Sequence, residues 1–176
     1  MVVYILLIEA VMALFMLRFL MQSSSADYYH PFTQMVLKLT NFAVNIPVIR
    51  NFRVGQLYLA GLFMAYVVSL VFWLIFGPAN LIPIPYCLLI SFLMFVKTFG
   101  YLILVLLLVQ ALCSWLEATR HVSIYIGQIT YVIVAPVQRI IPPIGMIDIS
   151  LMVIMIVLIL LNSLIGRMFG VWWLIV

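Results

Sequence analysis

Apolar residues in this chain come in runs of about 20, and the polar and charged residues gather between or near the ends of those runs. A helix rises about 1.5 Å per residue, so about 20 apolar residues cross the hydrocarbon core of a bilayer. Four segments meet that length: roughly Val2–Met21, Leu57–Phe76, a stretch within Tyr86–Trp115, and Ile149–Trp172. The second is expected to stop at Gly77-Pro78. The third would reach roughly 45 Å as one straight helix, against a core of about 30 Å. It therefore tilts, protrudes, or breaks near Lys97-Thr98-Phe99-Gly100.

The connections differ from one another. Gly77 to Pro85 is short, uncharged and proline-rich, whereas 22–56 and 117–148 are long and hold Lys38, Arg50 and Arg53, and Arg120 and Arg139, respectively. Each long connector contains an amphipathic stretch. In the first, Phe32, Met35, Val36, Leu39, Phe42, Ala43 and Ile46 share one helical face, and Thr33, Gln34, Lys38, Asn41 and Asn45 share the other. Pro31 suits the first turn, where its missing N–H costs nothing. The pattern predicts a helix lying in the membrane interface, its apolar side in the acyl boundary. The stretch Ser123–Val134 is more apolar and is expected to lie deeper or to pack under the spans. Span, interfacial segment and span thus follow one another twice, dividing the chain into 1–79 and 80–176. Two crossings per half insert both halves the same way, which makes a parallel repeat about an axis along the membrane normal. The predicted fold class is an all-α membrane protein of about four transmembrane helices in two parallel repeats, each with a cytosol-side amphipathic segment.

Composition agrees with a lipid environment: 69% of the 176 residues are hydrophobic and 7% are charged. A soluble domain of this length could not bury that much apolar surface. The net charge of +4 points to orientation and to anionic headgroups, and no Lys/Arg-rich run suggests nucleic acid. The positive-inside rule places both basic connectors in the cytoplasm and both termini in the periplasm of a bacterial inner membrane. Arg18 fits that arrangement, while Arg167 must snorkel to the outer headgroups. The start of the chain lacks signal-peptide features, so the first run is expected to be a retained span. Cys87 and Cys113 lie far apart in apolar runs and read as small buried side chains.

The densest unusual run is residues 135–150. Pro136, Pro142 and Pro143 argue against a regular helix there, and Gly145 permits a tight turn. Asp148 stands where an N-cap worth about 1 kcal/mol would start the last span, with Ser150 beside it. Arg139 can reach a lipid phosphate or Asp148. This is either a re-entrant turn with a capped helix or a site that binds a partner or an anionic lipid. Inside the spans, Glu9, Lys97 and Asn162 are the candidate polar residues. A charge at the depth of Glu9 costs at least about 2.5–3.5 kcal/mol, relieved by protonation or a partner. Lys97 either pairs with Glu9 or snorkels. Asn162, Gly166 and Gly170 share a helical face, which reads as close packing within the chain or in a homodimer. Trp73, Trp115, Trp172 and Trp173 suit interfacial belts. His30 and His121 lack partners at ligand spacing, and His30 reads as a residue at the start of a helix, so no metal or other cofactor is expected. No GxSxG, HExxH, P-loop or GxGxxG pattern occurs, and no catalytic residue is assigned.

The residues of this run carry a resemblance. Pro136, Arg139, Pro142, Gly145, Ile147, Asp148 and Ser150 are similar, in register, to the signature of the YggT family of small bacterial inner-membrane proteins, whose relatives include YlmG proteins. Leu17-Arg18-Phe19-Leu20-Met21-Gln22, followed by Asp27-Tyr28-Tyr29-His30-Pro31-Phe32-Thr33-Gln34, resembles the family's first repeat. Lys97-Thr98 and Ser114-Trp115 also fit. Gln138 departs from the first arginine of the usual pair, Met146 from a common second glycine, and Leu151 from a common proline. The first repeat, at Arg50-Asn51-Phe52-Arg53-Val54-Gly55, lacks the proline–glycine–aspartate ending. The resemblance implies a multi-pass membrane protein without an established enzyme activity. It also implies association with envelope physiology, osmotic tolerance and division in bacteria, and with nucleoid distribution and cytochrome assembly in plastids. The expected function is a non-catalytic accessory or scaffold supporting the envelope under osmotic stress. Its expected partners are the lipid bilayer and a membrane protein or a second copy of the chain. The competing expectation is a small ion or solute channel, built as a homo-oligomer with Glu9, Lys97 and Asn162 along a polar path.

Overall fold

Among the described residues, four helices are long and apolar enough to cross a membrane, and in a computed structural model they are α1 (Val2–Ser23), α3 (Ala60–Ala79), α4 (Ile84–Trp115) and α6 (Ile149–Phe169). The structure describes residues 2–24, 26–44, 53–54, 57–79, 81–141 and 148–175, with the backbone alone at 2, 53 and 54. Helix α2 (Pro31–Val44) follows α1. A two-residue antiparallel ladder comes next, β1 (Arg53–Val54) with β2 (Leu57–Tyr58), pairing Arg53 with Tyr58. Helix α5 (Arg120–Gln138), preceded by a single 3-10 turn, lies between α4 and α6, and α7 (Val171–Ile175) ends the described chain.

The third apolar stretch is one unbroken helix of 32 residues. That is about 48 Å of helix, so α4 tilts or protrudes and does not break at Gly100. Two prolines that were expected to interrupt regular helix do not. Helix α3 continues through Pro78 to Ala79, and α5 through Pro136 to Gln138. Each proline sits in the last turn, where only one backbone bond is lost and few residues follow. The last span is shorter than expected, because Gly170, at φ 51°, turns the chain out of the helix.

Helix α1 packs against α3, α3 against α4, and α4 against α5 and α6. The core is rich in methionine: Met12, Met16 and Met94, with Trp73 and Ile90, are fully buried between α1, α3 and α4. Opposite faces present Leu6, Leu7, Val105, Leu108, Ile156, Val157 and Leu160 outward. Such a surface is stable only in lipid. At the crossing of α1 and α3, Gly61 lies so close to α1 that a Cβ there would meet the Phe15 carbonyl oxygen at 2.5 Å.

Candidate functional site

Helices α2 and α5, from different parts of the chain, meet on one face of the bundle. The Thr33 hydroxyl donates to the Asp27 carbonyl at 2.8 Å and shares a 2.7 Å hydrogen bond with the Tyr125 hydroxyl. The His30 ring stacks on Tyr125, centroids 3.7 Å apart and 18° from parallel, and Phe32 packs edge-on against the same ring. His30 also starts α2, its Nδ1 accepting the Phe32 N–H at 3.3 Å. Burial raises the Tyr125 phenol above its ordinary range, the Thr33 hydrogen bond opposes that, and the negative charge of Asp27 adds to it.

The orientation of α2 differs from the expected one. Thr33 was placed on the polar face, yet Thr33, Val36, Thr40 and Val44 form the face buried against the bundle. Phe32, Met35, Leu39 and Phe42 point outward, Phe42 being 82% exposed. The threonines can turn inward because each hydroxyl has a partner: Thr40 donates to Val36 O at 2.7 Å and accepts from Arg18 Nη1 at 2.9 Å. Asn45 and Ile46 lie outside the described residues. Helix α5 packs against α4 through Ser123, Ile126, Ile129, Thr130 and Val134. Gln110 of α4 anchors it: Ser123 Oγ donates to the Gln110 carbonyl and Thr130 Oγ1 to Gln110 Oε1, both at 2.9 Å.

Next to this face, Asp148 is the N-cap of α6. It accepts the Ser150 N–H at 3.0 Å and the Ser150 hydroxyl through the same oxygen. Its second oxygen accepts from Gln138 Nε2 at 2.7 Å. Gln138, and not Arg139, therefore ties the end of α5 to the start of α6. Arg139 is exposed as the C-cap of α5, and Pro136 is exposed one turn earlier. Pro142 and Gly145 of the candidate motif lie outside the described residues.

Two of the intramembrane candidates, Lys97 and Asn162, converge on Trp173 of α7. Lys97 Nζ donates to the Trp173 carbonyl at 3.0 Å and lies 5.6 Å from the centre of its ring. Trp173 Nε1 donates to Asn162 Oδ1 at 3.1 Å. Glu9 is near enough for its charge to act on Lys97. Beside them is a cavity of about 90 Å³, walled mainly by Leu104, Leu158, Ile159 and Ile165. Gly166 packs on the Trp173 ring within the chain, and Gly170 ends the helix, so the two glycines do not form one helix-packing face. Two of the tryptophans expected in interfacial belts are buried instead: Trp173, and Trp73, whose indole N–H donates to the Met94 sulfur. Trp172 stacks on Tyr86. Both cysteines are unpaired, Cys87 buried beside Gly77.

Sequence reasoning passed over Arg18–Thr40, Gln110 and Tyr125 as site residues. The available signal was a polar residue in an otherwise apolar run, which applies to Gln110 and Arg18. Nothing local marks Tyr125, whose partner Thr33 is 92 positions away.

The sequence profile of the CCB3/YggT family matches residues 89–169. A Vibrio alginolyticus protein described as an uncharacterized protein in the proC 3' region is 34% identical over 167 residues, 89% of this chain and 88% of the relative. The uncharacterized protein YggT of Escherichia coli K12 is 32% identical over 162 residues, covering 88% and 82%. An uncharacterized Haemophilus influenzae protein is 27% identical over 166 residues, covering 90% and 87%. No solved structure matches the chain.

Proposed function

The chain belongs to the CCB3/YggT family, and from that premise we propose that it is a non-catalytic membrane scaffold that supports the bacterial envelope under osmotic stress. Its working face is the platform formed by α2 and α5. The observation that carries this reading is the bracing of two amphipathic helices by a hydroxyl pair and a ring stack at Tyr125. Such bracing fixes the relative position of two elements whose outer side chains, among them Phe42, Met35, Ile124 and Tyr131, are apolar and unshielded. Amphipathic helices of this kind sit in the headgroup layer with that side in the acyl boundary.

The basic residues of the connectors favour a cytoplasmic platform in the inner membrane, with both termini periplasmic. The repeated order of long helix, amphipathic helix and long helix supports two parallel halves, 1–79 and 80–176. Pro136 and Arg139 at the end of α5, with Asp148 and Ser150 at the start of α6, form the surface that a membrane-protein partner engages. The channel reading has less support, because Lys97, Trp173 and Asn162 satisfy one another across a cavity with room for a handful of waters.

Complementation tests the scaffold reading. A strain lacking the protein, grown at high osmolarity, is expected to recover with the wild-type chain. It is not expected to recover with a Tyr125→Ala, Thr33→Val variant that inserts at a matched level. Full recovery by the variant contradicts the reading.

A further inference from the structure

Arg18 is the only charged side chain among the described residues that is buried, at 7% exposure. A guanidinium carries five N–H donors. The described residues accept from one of them, Nη1, at Thr40 Oγ1; Nε is buried without a partner. No carboxylate acts on it. The carboxylate of Asp27 accepts from Tyr29 N, Asp148 is held by Gln138 and Ser150, and Glu117 is exposed beyond the end of α4. Glu9 lies nine residues away on α1, about 13 Å along the axis. A buried cation without a counter-ion is costly, and hydrogen-bonded anions relieve that cost.

A mostly polar pocket of about 360 Å³ opens beside this side chain, lined by Arg18, Gln22, Tyr28, Gln34, Leu37, Lys38 and Asn41. Two cations, three amides and a phenol converge there, and no carboxylate is among the lining residues. That donor-rich lining is the chemistry that binds phosphate oxygens, with the planar fork of arginine as the main contact. The pocket also lies at the right depth. Arg18 is five residues, about 8 Å, from the end of α1, and α2 closes the pocket with its outer face lined by Met35, Leu39 and Phe42. An adjoining, more apolar cleft of about 260 Å³ shares Gln22, Tyr28 and Leu37 and adds Met21 and Ala26. It offers room for the glycerol and first methylenes that accompany a headgroup phosphate.

We propose that Arg18 and Lys38 bind the phosphate of an anionic glycerophospholipid between α1 and α2. The site is separate from the Asp148 cap and does not depend on which partner the platform engages. The ligand supplies the missing counter-ion of Arg18 and ties α2 to the lipid surface. An anionic headgroup such as phosphatidylglycerol suits a pocket lined by two cations better than a choline headgroup, whose own ammonium the cations repel.

Native mass spectrometry of the purified chain, with phosphatidylglycerol and phosphatidylcholine at equal concentrations, tests this. The wild-type chain is expected to retain phosphatidylglycerol several-fold more than phosphatidylcholine, with millimolar inorganic phosphate failing to displace it. Lys38→Gln and Gln34→Glu, both at accessible positions, are each expected to lower phosphatidylglycerol occupancy by about five-fold while leaving thermal unfolding unchanged. Arg18→Gln is expected to abolish the preference where it folds. Equal retention of the two lipids, or unchanged occupancy in Lys38→Gln and Gln34→Glu, overturns the site. Displacement by inorganic phosphate overturns the lipid as its source.

Discussion

Single side chains decide how the interfacial helices are held, and they do so through hydroxyls that a hydropathy pattern sorts to the wrong side. Thr33 reads as a polar position, yet it is buried together with Thr40, because Tyr125 and Arg18 await their hydroxyls inside. The Asp148 cap, by contrast, was legible, since a cap depends on residues two positions apart and not on the rest of the fold. Replacing Thr40 with Val is expected to strip Arg18 of its protein acceptor and to destabilise the chain by about 1–3 kcal/mol. Thermal unfolding in detergent measures this, and an unchanged midpoint contradicts the role assigned to the bond. At the start of α6, Asp148→Ala removes the acceptor for Ser150 and Gln138. It is expected to cost about 1 kcal/mol or more without preventing insertion, as read by unfolding and by membrane fractionation.

At the scale of elements, the four long helices were legible because lipid demands a continuous apolar run of known length. Their ends were less so. Pro78 and Pro136 were expected outside regular helix, but a proline in a last turn is tolerated. The sequence of α4 left three options open because its length exceeds the core, and the helix is continuous through Gly100, so tilt or protrusion takes up the excess. Helix contacts were not legible at all at Gly61, since a glycine shows its purpose only when the neighbouring backbone is seen. Gly61→Leu is expected to force α1 and α3 apart at Phe15 and to cost about 1–3 kcal/mol or more. Gly100→Ala, where a Cβ meets nothing within 4 Å, is expected to be neutral or to stabilise α4 by up to about 1 kcal/mol. Comparing the unfolding midpoints of the two variants checks the packing directly, and equal effects contradict it.

The whole molecule is a lipid-embedded helical bundle. Its outer surface is apolar around the spans. Side-chain hydrogen bonds tie α1 to α2, α2 to α5 and α5 to the start of α6. The two amphipathic stretches could be read one by one from their spacing. Their convergence could not, because it rests on the long-range contact between Thr33 and Tyr125. The central claim is that α2 and α5 face the same compartment, the cytoplasm. In a chain with Cys87 and Cys113 replaced by Ala, single cysteines at the exposed positions Lys38 and Ile140 can be probed with a membrane-impermeant thiol reagent. Both are expected to stay unlabelled in intact cells with a permeabilised outer membrane and to react in inverted inner-membrane vesicles. Labelling of either one from the periplasmic side contradicts the account.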